Sequence, residues 1–428
     1  MRSLFSRLYP AASLVILTGG FVILFPAPAR AATLCVNLAG SGGCTSTINA
    51  AVANASAGDV IQVAKGIYSE DVKIDKTLSL VGADPKTTII DATGLSNGIY
   101  IDGLDNVGLV DGTLVKGFTI RNANFEGILI TNASSVTIAG NIATGNDKSL
   151  DETTAPSTCP GVPSFETNEG FDCGEAIHLS GTDHALVSDN VVQNNAGGIL
   201  ISDDTAAVHD NVIEGNTVKN NAFDCGITLA SHAPATGVTP FGVFNNTIAN
   251  NISSGNGLGL QGEGAGVGIF DSIPNTNNSG NVVIHNTLTN NGLPGVAMHS
   301  HTASQTMNDN KIIGNTISGN GADTTNGASQ PTGINLAGVS PAAGTIISGN
   351  TIKNEALDIV INTAARADIH LNNLLGKGVG VQSSGTGTTD ASDNYWGCAG
   401  GPSAKGCSSI DNSGGGSLVT GASAAKPF

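Results

Sequence analysis

Basic residues are scarce in this chain. Seventeen Lys and Arg stand against 34 Asp and Glu, giving a net charge of −17. Such an acidic surface repels polyanions, which excludes nucleic acid and anionic membrane as expected partners. Past residue 31 the only arginines are Arg121 and Arg366. Aromatics are 4% of the 428 residues, with a single tryptophan, a poor supply of rings on which sugars could stack. A membrane-spanning run is missing as well. The apolar stretch Leu14–Phe25 is short for a bilayer and contains Gly19-Gly20. It follows Arg2 and Arg7 and precedes Ala29-Arg30-Ala31, the order of a cleavable secretory signal over residues 1–31. An uncleaved anchor is the alternative. Cleavage would take the net charge from −17 to −20, leaving a secreted or periplasmic protein with no membrane insertion.

Glycine, by contrast, is abundant, at 58 residues, and it recurs in a pattern. Between Gly174 and Asn320 a glycine-led apolar alternation opens each unit: GEAIHL (174–179), GGILIS (197–202), CGITLA (225–230), GVGIFD (266–271) and GVAMHS (295–300). Asn-rich phrases close each unit, among them DNVVQNN (189–195), GNTVKNN (215–221) and GNTISGN (314–320). The alternation has strand period, and no helix-length apolar pattern intervenes. Units of this length bury their apolar faces only against neighbours, as in a solenoid. The expected fold is all-β: a single-stranded right-handed parallel β-helix with an N-terminal capping helix. TSTINAAVANAS (45–56) supplies that helix, with Ser46 or Thr47 as its cap. The expected organisation is a signal over 1–31, a cap and first coils over 32–94, repeats with inserted loops over 95–391, and a C-terminal cap and tail over 392–428.

The motifs resemble the pectate-lyase-like superfamily of β-helix proteins. GDVIQVAKGIYSEDVKIDKTLSLVGADPKTTIIDA (58–92) is similar to the N-terminal phrase of secreted members, and SDNYWGCAGGPSAKGC (392–407) to a closing phrase in which Trp396 plugs the last turn. Members include polysaccharide lyases, polygalacturonase-type hydrolases, alginate epimerases and periplasmic proteins that assist copper-site assembly.

Seven cysteines suit an oxidising compartment. Cys35 with Cys44, Cys159 with Cys173 and Cys398 with Cys407 each bracket a short loop, and these are the expected pairs. Cys225 lies two coils from Cys173, roughly 10 Å at the ~4.8 Å strand spacing, and is expected to be a buried free thiol.

Equivalent apolar positions Ile177, Ile199, Ile227, Val267, Val296 and Ile334 are separated by 22, 28, 40, 29 and 38 residues. Excess residues must leave the solenoid as loops, so 232–280, 301–310 and 321–332 are expected to frame a groove. At the strand ends, Asp203, Asp204, His232, Asp271, His299 and His301 fall on neighbouring coils. Imidazoles beside carboxylates suit general acid–base catalysis. His178, Glu175 and Thr228 are placed to extend the groove as substrate contacts. The alternative for all of them is a solvated corner.

Within the resemblance, no Lys or Arg in these columns counts against a lyase. Ser202-Asp203-Asp204 partly echoes the paired acids of the hydrolases, and the epimerase motif is absent. The favoured reading is an enzyme acting on an extracellular polysaccharide as lyase, hydrolase or epimerase, expected to be a monomer. The alternative is a non-enzymatic metal-handling or structural surface protein. A divalent ion is a possible cofactor: copper or zinc on His232, His301 and Asp271, or calcium on the acidic loop 148–173, with Asp151, Glu152, Glu166, Glu169 and Asp172.

Overall fold

The computed structural model describes residues 31–162, 173–231 and 239–428. Residues 32–428 form one compact unit. Each coil of the chain contributes one strand to each of three long sheets, of 14, 12 and 11 strands, and all the long-sheet pairings are parallel. The register agrees with the repeat read from sequence. Ile177 pairs with Ile199, Ile199 with Ile227, Ile227 with Val267, Val267 with Val296, and Val296 with Ile334. These residues are fully buried and stack into one continuous apolar core along the solenoid.

The ends are closed as expected. A helix, Ile48–Asn54, caps the first coils, with Thr47 as N-cap and Ile48, Ala51 and Val52 buried. Trp396 is wholly buried at the other end. The disulfides Cys35–Cys44, Cys159–Cys173 and Cys398–Cys407 form as paired above, and Cys225 is buried and free. No helix among the described residues is long and apolar enough to cross a membrane.

Corners are held by asparagine. Asn141, Asn190, Asn216, Asn251, Asn286, Asn315, Asn350, Asn372 and Asn394 stack in one buried ladder. Each amide Nδ2 donates to the Oδ1 of the next, and that Oδ1 also accepts the backbone N–H of the residue below it. The side chain thus satisfies peptide groups that the sheets leave unpaired at a bend. Where two asparagines are adjacent, the first does a different job: Asn194, Asn220 and Asn290 hold φ near +57°, which Asn tolerates better than most residues.

A second ladder, Asn146 to Asn320, ends on a carboxylate, Glu355, which accepts from both N and Nδ2 of Asn320 at 3.0 Å. Burial raises this carboxyl from 4.5 to about 7 despite those donors.

Two stability predictions follow from the ladders. Asn251→Ala strands several buried donors and acceptors, each worth about 1–3 kcal/mol, so urea unfolding should show a loss of about 3 kcal/mol or more. Glu355→Gln should raise the melting temperature by a few degrees above pH 7. The folded carboxyl titrates higher than the unfolded one, so ionisation costs stability progressively from pH 4.5 to about 7. Below pH 4.5 the two proteins should melt alike.

Candidate functional site

The 12-stranded sheet, running from Val72–Ile74 to Ser409–Asp411, carries the candidate site. Its outward positions pair as Ser202, Ala230, Phe270 and His299 on successive coils. A cavity of about 540 Å³ lies over these strands. Leu200, Thr228, Ala230 and Phe270 form its floor, and loops supply Phe223, Asp224, Gln261, Glu263, Leu293, Asp323 and Asn326. The long steps predicted this: residues 257–264 and 321–332 do protrude at the groove. One wall was unforeseen. Pro156 and Ser157 of the disulfide loop line the cavity, and Gln261 ties that loop down by donating to the carbonyls of Glu152 and Thr154.

At one edge, His299 and His301 stand beside Asp323. His299 Nδ1 lies 2.9 Å from His301 Nε2, and its Nε2 lies 3.3 Å from Asp323 Oδ2. Asp323 is the N-cap of the short helical turn Thr324–Asn326, and its carboxylate also accepts from Thr325, Asn326 and Asn335. Burial opposes ionisation of Asp323, but His299 and these donors outweigh it, and the carboxyl is held at about 2. The two ring nitrogens of His299 thus link the exposed His301 to the ionised Asp323. His301 is exposed at the rim. Packing on its protein side, and then the neighbouring His299, lower its pKa below the usual 6.5. The Phe270 ring supports His299 at 4.5 Å between centroids. Phe270 lies directly over Gly268, where a Cβ would collide with the ring, so a larger residue there would lift this floor.

Of the other expected residues that the structure describes, Thr228 alone is at the cavity, as proposed from sequence. His178 and Glu175 are fully buried, which corrects their placement in an open groove. His178 Nδ1 is 2.8 Å from Glu126 Oε1, and its Nε2 is 2.8 Å from Ser202 Oγ, which donates in turn to Asp204. Burial raises the Glu126 carboxyl. Glu175 lies against the face of Gly197 on the next coil. Asp203 faces a corner, accepting from Ser231 Oγ at 3.0 Å and from the Gly242 N–H. Asp204 and Asp271 are buried and do not line the cavity. His232, Glu166, Glu169 and Asp172 lie outside the described residues. Strand parity accounts for two of these: Asp203 follows Ile199 and Ile201, and Asp271 follows Val267 and Ile269, so both continue the inward positions.

Asp224, Glu263 and Asp323 escaped the sequence reading. Asp323 had a signal, an Asp–Thr–Thr–Asn–Gly turn within a 38-residue step. Among the described residues, one trio has ligand atoms close enough to share an ion: Asp368, His370 and Asp390. Arg366 already bridges both of its carboxylates, at 2.7 and 2.8 Å, so the charge a cation would neutralise is met.

A family model described as a right handed beta helix region matches residues 84–272. The chain is a right-handed parallel β-helix. No curated protein matches it in sequence. Among solved structures, the catalytic domain of a GH87 alpha-1,3-glucanase in complex with tetrasaccharides aligns with a TM-score of 0.57 and 14% identity, over 92% of this chain and 66% of that chain. ORF18 of Geobacillus virus E2 aligns at 0.53 and 13% identity, over 75% of this chain and 57% of that one. An alginate lyase from Paenibacillus sp. str. FPU-7 aligns at 0.49 and 13%, over 75% and 95%. The β-helix thus spans just under two thirds of the glucanase domain and over half of the viral protein. At these identities the likeness is one of fold.

Asp323→Asn should lower the melting temperature at neutral pH. Its folded carboxyl titrates at about 2 against 3.8 unfolded, so its contribution is present above pH 3.8 and fades as pH falls toward 2. A melting difference that stays constant over that window would remove the charge interaction from the site.

Proposed function

We propose that this β-helix is exported and hydrolyses a polysaccharide bound in the groove. The observation that carries the reading is the Asp323–His299–His301 chain at the edge of a cavity with two further carboxylates, Asp224 and Glu263. A neutral, exposed His301 takes a proton from water. His299 and the ionised Asp323 stabilise the charge that results, as a base oriented by a second group requires. The water oxygen bonds to the anomeric carbon, the glycosidic C–O bond breaks, and the leaving oxygen takes a proton from solvent, to which His301 returns its own. Phe223 and Phe270 offer apolar faces to sugar rings. The sugar-bound glucanase of the same fold and three disulfides consistent with export support the reading.

Product mass spectrometry on a polysaccharide panel tests this. The mature protein should release fragments carrying one added water, and His301→Ala should slow release by about 10²-fold or more. The acid limb of the rate should lie below pH 6.5, because the pKa of His301 is lowered. Unsaturated fragments would make it a lyase, and no mass change even in deuterated water would end the enzyme reading.

A further inference from the structure

The charge of the groove points to the class of polysaccharide it takes. This inference rests on the reading of the groove as a polysaccharide site. Three acids line the cavity, Asp224, Glu263 and Asp323, and none of its lining residues is Lys or Arg. The two internal segments outside the described residues, 163–172 and 232–238, contain no Lys or Arg.

Five cations lie in strands of the other two long sheets. Lys116 and Lys311 lie in strands of the 14-stranded sheet, and Arg121, Lys219 and Lys353 in strands of the 11-stranded one. Both arginines past the signal are engaged by aspartates: Arg121 by Asp91 at 2.8 Å, and Arg366 by Asp368 and Asp390. Among described strands of the site sheet, Lys73 is the one Lys or Arg, and it pairs with Asp102 at 2.7 Å. Its strand lies four steps in the sheet order from the Leu200 strand of the cavity floor and seven from the His299 strand, about 19 and 34 Å at the strand spacing. Both exceed two Debye lengths at physiological salt, and Lys73 is already paired, so it offers the groove little.

A polymer with a carboxylate or sulfate on each unit needs cations where it binds, and here it would meet carboxylates. Ionised carboxylates accept hydrogen bonds and cannot donate them, so they suit hydroxyl or ammonium donors. We propose that the groove takes a polysaccharide whose units carry no carboxylate or sulfate, and rejects polyuronates by like-charge repulsion.

Affinity electrophoresis of the mature protein in EDTA, against a neutral glucan, chitosan, alginate and polygalacturonate, tests this. Retention by the glucan or by chitosan at least tenfold above that by either polyuronate is expected. Retention by chitosan that falls with added salt would mark an ammonium ligand, and salt-insensitive retention by the glucan a hydroxyl one. The double variant Asp224→Asn/Glu263→Gln should narrow the discrimination several-fold. Discrimination unchanged in that variant would assign it to the net charge of the whole chain and overturn the proposal. Equal or stronger retention by a polyuronate in EDTA would also overturn it, while leaving the polysaccharide reading intact. Retention by no polymer would overturn both.

Discussion

Everything in this molecule depends on one constraint: a parallel strand finds its hydrogen-bonding partner only in the coil above or below. The backbone of each short strand is satisfied along the solenoid axis, and its apolar side chains are buried along the same axis. Corners are the weak point, because the chain turns there and peptide groups leave the ladder. The asparagine columns repair this by repeating the axial logic with side chains. Each amide donates upward and accepts from below, so a corner is only as stable as its neighbours. Glu355 marks where one column gives up this neutrality and accepts the cost of a buried acid.

The same constraint builds the groove. A solenoid fixes the number of residues inside a coil but not outside it, so extra length leaves at the corners. The 40-residue and 38-residue steps place residues 257–264 and the Asp323 turn beside one sheet. The disulfide loop crosses coils to meet them through Gln261. A rigid floor with loop walls holds His299 between Phe270 and Asp323, so its orientation is set by packing as well as by hydrogen bonds.

Two imidazoles in this sheet show how burial divides similar residues. His178 and His299 both sit on outward positions with an acid at one nitrogen. His178 is sealed among Glu126, Ser202 and Asp204, where it joins coils. His299 connects to an exposed histidine over an open cavity. Chemistry with a large polymer is available only to the second.

Sequence alone determined the coil. Its register, the inward column from Ile177 to Ile334, the capping helix and the three disulfides all follow from local periodicity or short spacing, and the plug at Trp396 from the resemblance of the closing phrase. Periodicity and spacing are written along the chain because each coil repeats its neighbour. The sequence also placed His299, His301 and Thr228 at the groove. It did not bury Asp204, whose contacts with Ser202 and His178 are fixed by packing between coils, although strand parity carried one residue further puts Asp203 and Asp271 inward. Nor did it bring Asp323 to His299, or Ser157 and Gln261 to one wall. Those contacts join loops whose paths no repeat specifies, and only tertiary packing fixed where they close.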